Sequence, residues 1–151
     1  MLDNETFWVA FGAVSTAVSV TVALLLPFYL GRLNEEKARI LVARELHENM
    51  KKIRQIAKVG NQSSIIFAMG VNQIQVIEEY KKHLSLNHWA HFKFQMRPDH
   101  YICFEQLVSK IEHIKSLSGP SGLLIHNSVE TAKSLVQEYD IISRRCRYFR
   151  I

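Results

Sequence analysis

Between Glu5 and Arg32 the chain carries no charged residue, and from Phe7 to Leu30 it is almost wholly apolar. Such a run exceeds the roughly 18 apolar residues at which a membrane-spanning helix becomes the default expectation. At about 1.5 Å per residue it reaches roughly 36 Å, enough to cross a hydrocarbon layer of about 30 Å with some tilt. A cleaved signal peptide would carry a basic leader, a shorter apolar core and a small-residue cleavage site. Here the leader holds Asp3 and Glu5, and the run ends in Pro27, Phe28, Tyr29 and Leu30, so the sequence predicts a retained anchor. Arg32, Lys37, Arg39 and Arg44 follow the run closely. Positive charge stays on the cytoplasmic side, which predicts an external N-terminus, an anchor over 1–31 and a cytoplasmic domain over 32–151. Trp8 and Tyr29 are placed to sit at the two interfaces.

The sides of this segment differ. Gly12, Ser15, Thr16, Ser19 and Ala23 fall on one helical stripe of small or hydroxyl-bearing residues, while Val14, Val18, Val22 and Leu25 make a branched stripe elsewhere. Small residues let helix backbones approach closely in lipid, so the Gly12 stripe is a candidate surface for self-association. The plainer alternative is that the hydroxyls bond back to their own helix. Pro27 lacks the donor that would bond Ala23, which predicts a kink.

All 19 Lys and Arg follow residue 31 with 12 of the 14 acids, so the remainder carries +7. A basic domain of this size favours anionic neighbours: lipid headgroups, nucleic acid or an acidic protein. Gly31 and Asn34 can separate the span from a second helix, capped by Asn34, over 35–58. Its apolar stripe is Ala43, Leu46, Met50, Ile53 and Ala57. The turn signal at 60–63 precedes a helix over 64–83 that Gly70 weakens, with Lys81 lending only its stem to the ridge. In residues 86–96, Trp89, Phe92 and Met96 suit a helix while Phe92, Phe94 and Met96 alternating with Lys93 and Gln95 suit an extended segment; a lone strand could not satisfy its hydrogen bonds, so a short helix or loop is expected. Asp99 caps a helix to Ser118 with Phe104, Leu107, Val108, Ile111, Ile114 and Leu117 inward, and Gly119-Pro120 stops it. After the apolar run 123–125, Asn127 or Ser128 caps a last helix carrying Val129, Ala132, Leu135, Val136, Tyr139, Ile142, Cys146 and Phe149. The expected fold is all-α: one N-terminal transmembrane helix, then a small cytoplasmic antiparallel helical bundle.

Chemical motifs are sparse. His88, His91, His100 and Cys103 are the best metal candidates, as two pairs three residues apart, but Pro98 intervenes and no second cysteine is near, so no metal is expected. Cys103 and Cys146 sit on or beside apolar stripes, as inert thiols do, and neither a nucleophile elbow nor a phosphate loop occurs. The sequence therefore predicts no enzyme and no cofactor. Arg144, Arg145, Arg147 and Arg150 crowd the C-terminus with Tyr148 and Phe149 between them. Part of that signal is helix-dipole compensation, and part is a candidate contact for phosphate or nucleic acid.

The span followed by Leu41-x-x-x-Glu45-Leu46-x-x-Asn49 resembles small membrane proteins of bacterial prophage and phage-defence loci, including effectors associated with retrons and abortive infection. The resemblance covers about the first third of the chain. It implies a protein of the bacterial inner membrane whose cytoplasmic bundle senses or binds a partner and whose span damages the membrane on release. In a retron that partner would be a reverse transcriptase with its RNA–DNA product. The alternative is a membrane-tethered adaptor or assembly protein. Expected partners are membrane lipid, a second copy through the span, a cytoplasmic protein and nucleic acid.

Overall fold

The computed structural model describes residues 4–62, 71–117 and 122–145, and these are helical apart from short connections. The order is α1 (Asn4–Gln62), α2 (Val71–Lys82), α3 (Asn87–Phe92), a 3-10 turn (Lys93–Gln95), α4 (Pro98–Ser116) and α5 (Gly122–Arg145). Contacts divide the chain into two compact units, Met1–Lys37 and Ala38–Ile151.

The first unit is the apolar part of α1. Its most hydrophobic window has a mean hydropathy of 2.2, and none of that window is buried by the rest of the protein. Pro27 lies inside the helix. Neither Gly31 nor Asn34 interrupts it, contrary to the expected break. Glycine within a helix costs only about 1 kcal/mol, and Glu35, Glu36, Lys37 and Arg39 beyond it carry no β-branch, so a cap signal alone does not force an end.

In the second unit most of the forecast stripe residues form the core, whereas Leu117, Val136 and Ile142 are only partly buried and Cys146 and Phe149 lie outside the described residues. Ala43, Leu46, Met50, Ile53 and Ala57 of α1 are buried with Phe104, Leu107, Val108, Ile111 and Ile114 of α4 and Val129, Ala132, Leu135 and Tyr139 of α5. From α2 and α3 come Ile77 and Trp89. Trp89 stacks on Tyr101 at 5.2 Å between centroids, which lays α3 against α4. Residues 86–96 resolve into α3 and the 3-10 turn, as the short-helix alternative predicted.

Two helix starts differ from expectation. α4 begins at Pro98 with Arg97 as its N-cap residue, because proline's fixed φ suits the first helical position, and Asp99 falls one place later in the first turn. α5 already includes the run 123–125, with Ile125 buried and Leu123 exposed. Ser128 does not cap: its hydroxyl donates to the Leu124 carbonyl at 2.8 Å, the bond a serine makes inside a helix. Of the predicted helix over 64–83, the part up to residue 70 lies outside the described residues.

Gly60 sets how closely α1 and α5 approach. A Cβ built there would lie 2.1 Å from Val129 Cγ1, and Val129 is itself buried and stiff about χ1. Gly60→Ala should therefore destabilise by about 1–3 kcal/mol despite alanine's better helix propensity. Urea unfolding checks this, with Val129→Ala in the same chain expected to recover most of the loss.

Candidate functional site

Two of the buried polar residues of the second unit lie on one side of α1. Glu45 and Asn49 stand one turn apart beside the apolar stripe and are both buried. α3 begins after Leu86, a residue whose side chain cannot cap, so the first N–H groups of α3 need another acceptor. Glu45 supplies it. The His88 N–H donates to Glu45 Oε1 at 3.1 Å and the Trp89 N–H to Oε2 at 2.9 Å. The Ser85 hydroxyl also donates to Oε1 at 3.2 Å, and His88 Nδ1 lies 3.4 Å from that oxygen. A carboxylate at a helix N-terminus is favoured by the dipole as well as by the bonds.

Asn49 holds the preceding residue from both sides: its amide donates to the Ser85 carbonyl, and the Ser85 N–H donates to Asn49 Oδ1 at 3.1 Å. Lys52, a turn further on, donates to the His83 carbonyl. Glu45, Asn49 and Lys52 thus clasp the connection between α2 and α3. A shallow groove of about 310 Å³ runs beside the clasp, lined among others by Arg44, Glu48, Lys52 and His88. Lys81 makes a second device of this kind. Only 3% exposed, its ammonium pairs with Glu78 Oε1 at 2.7 Å and donates to the carbonyl of Leu117, the C-cap residue of α4. The expectation that only its stem is covered is corrected here, because the α4 terminus offers the ammonium an acceptor.

No protein-family model, curated protein or solved structure matches the chain.

α5 runs along α1 in the opposite sense, with its early residue Val129 at the late Gly60 and its later residues Tyr139 and Asp140 at the earlier His47 and Arg54. Val129 lies against Gly60, Asp140 binds Arg54 at 2.7 Å, and the Tyr139 hydroxyl lies 3.3 Å from His47 Nδ1. The Arg54 guanidinium also sits over the Tyr139 ring, 5.8 Å from its centroid. Burial pushes the Tyr139 pKa above its ordinary value, with Arg54 drawing it down and Asp140 raising it. Between α4 and α5 the Lys110–Glu138 ion pair borders a groove of about 610 Å³ that Ile141 and Ile142 help to line.

Gly12, Ser15, Thr16, Ser19 and Ala23 are all exposed on the first unit. Thr16 donates to the Gly12 carbonyl at 2.9 Å, Ser19 to Ser15 at 2.8 Å and Thr21 to Ala17 at 2.8 Å, so these hydroxyls are satisfied within the helix. Phe7, Trp8 and Phe11 cluster at the N-terminal end, with centroids 5.7 to 6.4 Å apart. Among the metal candidates, His88 stacks on Phe92 and His91 meets the same ring edge-on, both on α3, whereas His100 is buried on α4 and Cys103 is half-buried there. Among the described residues, no group of three or more His, Cys, Asp or Glu gathers as a metal site. Arg144 is exposed near the end of α5. The side chain of Arg145, and Cys146, Arg147 and Arg150 entirely, lie outside the described residues.

The clasp was not anticipated from the sequence as such, although Glu45 and Asn49 carried the resemblance. Its signal was present: two polar residues four apart on the same side of α1 as Val42 and Leu46.

Proposed function

We propose that the chain is a single-pass protein of the bacterial inner membrane, with its N-terminus outside and an antiparallel helical head in the cytoplasm, and that it works without catalysis. The observation that carries the membrane placement is the uncharged helix whose most hydrophobic window is left uncovered by the protein's own core. In water such a face would demand a partner, and lipid supplies one along its whole length. The aromatic cluster at Phe7, Trp8 and Phe11 suits the outer interface, where ring edges meet headgroups.

Within that frame the protein acts as an effector of an anti-phage defence system: the head binds a cytoplasmic protein, and release lets the spans assemble through the Gly12 stripe and injure the membrane. The support is the resemblance of the first third of the chain together with the open Gly12 backbone, around which nothing lies within 4 Å. A second reading is favoured by a different observation. Because Thr16, Ser19 and Thr21 already bond to their own helix, three of the span's hydroxyls need no polar partner, and the span serves equally as a tether for an adaptor or assembly protein.

Induced expression in bacteria without other components separates the two. The effector should slow growth and depolarise cells, and Gly12→Leu or Ser19→Leu, which block close approach, should relieve the toxicity while leaving membrane content unchanged. Normal growth and potential at matched expression would assign the tether.

A further inference from the structure

We propose that the outer face of α1 beside α5 is a binding surface for the phosphate backbone of double-stranded nucleic acid. From residue 44 to residue 58 the fully exposed positions of α1 are Arg44, Glu48, Lys51, Gln55 and Lys58. The three cations recur every seven residues, hence every two turns, and form a line about 21 Å long. Glu48 is the one acid of that row; it pairs with Lys51 at 2.7 Å, and this bond holds its carboxyl below the usual carboxylate range. Arg44 and Lys58 make no ion pair with another described residue.

α5 extends the row sideways. Asp140 meets Arg54 and Tyr139 meets His47, and Arg144 follows Asp140 by one helical turn, continuing toward the Arg44 end of the face. Two further bases, Arg54 and His47, line the seam itself.

Charge and shape choose the occupant. A line of about 21 Å matches the edge of roughly six base pairs at about 3.4 Å each. Stacking on unpaired bases needs exposed aromatic rings, and the aromatic residue of the seam, Tyr139, is only 6% exposed, so the surface suits a paired backbone rather than a single strand. An amphipathic helix that beds into a leaflet needs apolar side chains to insert, and the exposed row has none. The inference does not depend on the membrane placement.

Anisotropy of a fluorescein-labelled DNA duplex, titrated with the full chain in neutral detergent, tests this. If Arg44, Lys51, Lys58 and Arg144 each meet a phosphate, affinity should fall roughly 150-fold between about 50 and 200 mM salt, a slope near −3.6. The variant carrying Arg44→Gln, Lys51→Gln, Lys58→Gln and Arg144→Gln should lose most of that slope, while Glu48→Gln should bind more tightly than the unaltered chain. All five residues are exposed, and circular dichroism confirms folding. A control with Lys82→Gln, Lys93→Gln, Arg97→Gln and Lys115→Gln removes the same charge elsewhere and should bind the duplex nearly as well. Equal loss in both variants would mean net charge alone attracts the duplex and would overturn the proposal. So would failure to bind at low salt, including the case in which the chain floats with phosphatidylglycerol vesicles through the same four residues.

Discussion

Glu45→Ala should lower the stability of the second unit by about 3 kcal/mol, and its melting temperature by about 15 °C for a domain of this size. The two carboxylate oxygens accept from the Ser85 hydroxyl and the N–H groups of His88 and Trp89, and Leu86 offers no substitute cap. Removing an acceptor leaves buried donors unsatisfied, which costs more than a typical hydrogen bond contributes. Glu45→Gln keeps one acceptor oxygen but turns an NH2 group toward other donors, so its loss should be smaller, about 1–2 kcal/mol. Trp89 provides a local readout. It is one of two tryptophans, and with Trp8→Phe as background its emission reports α3 alone. In Glu45→Ala that emission should move to the red before the helical signal melts, because α3 loses its cap while α1, α4 and α5 keep their apolar contacts. A melt within about 0.5 kcal/mol of the parent, the range of an ordinary surface change, would show that the carboxylate is not what holds α3.

The clasp also shows where a sequence is legible and where it is not. Period and hydropathy depend on residues near in sequence, so the stripe Ala43, Leu46, Met50, Ile53 and Ala57 could be read directly, as could Phe104 to Ile114 on α4. Glu45 and Asn49 answer to residues some 40 positions away, at Ser85, His88 and Trp89, and no local rule announces that pairing. Lys81 is the same case: its acceptor is the carbonyl of Leu117, the residue that caps the end of α4. Gly60 resembled a turn signal because glycine usually marks one, whereas here it answers to Val129 on α5. Helix boundaries failed for a related reason. Gly31, Asn34 and Ser128 carry the chemistry of ends, but each is tolerated inside a helix when the residues around it favour continuation. The candidate basic face illustrates both halves of this. The spacing of Arg44, Lys51 and Lys58 is in the sequence, yet their exposure, and that of Arg144, follow from which faces of α1 and α5 the core consumes.

Val14→Arg and Val18→Arg introduced together should release the chain from the membrane fraction. The run from Phe7 to Leu30 holds 12 Val, Leu and Phe residues. At about −0.3 to −0.6 kcal/mol each, these favour insertion by roughly 5 kcal/mol, from which the Ser, Thr and Gly positions subtract. Two arginines near the middle of the span add about 5–7 kcal/mol against insertion, enough to reverse the balance, and they lie too far from either interface to snorkel easily. Both side chains are exposed at more than half their area and belong to the first unit, so a released chain should retain its folded head. Val14→Leu with Val18→Leu keeps the run apolar and should leave the chain in the membrane. Fractionation gives the first answer. Protease added outside spheroplasts gives the second, because a cytoplasmic head should survive intact while lysis exposes it. Should the arginine variant stay membrane-bound and the head be cut from outside, the span would neither hold the protein nor orient it, and both the effector and the tether would fall together. The duplex titration would stand apart from that outcome, because the cations it tests belong to the face of α1 between residues 44 and 58 and to α5.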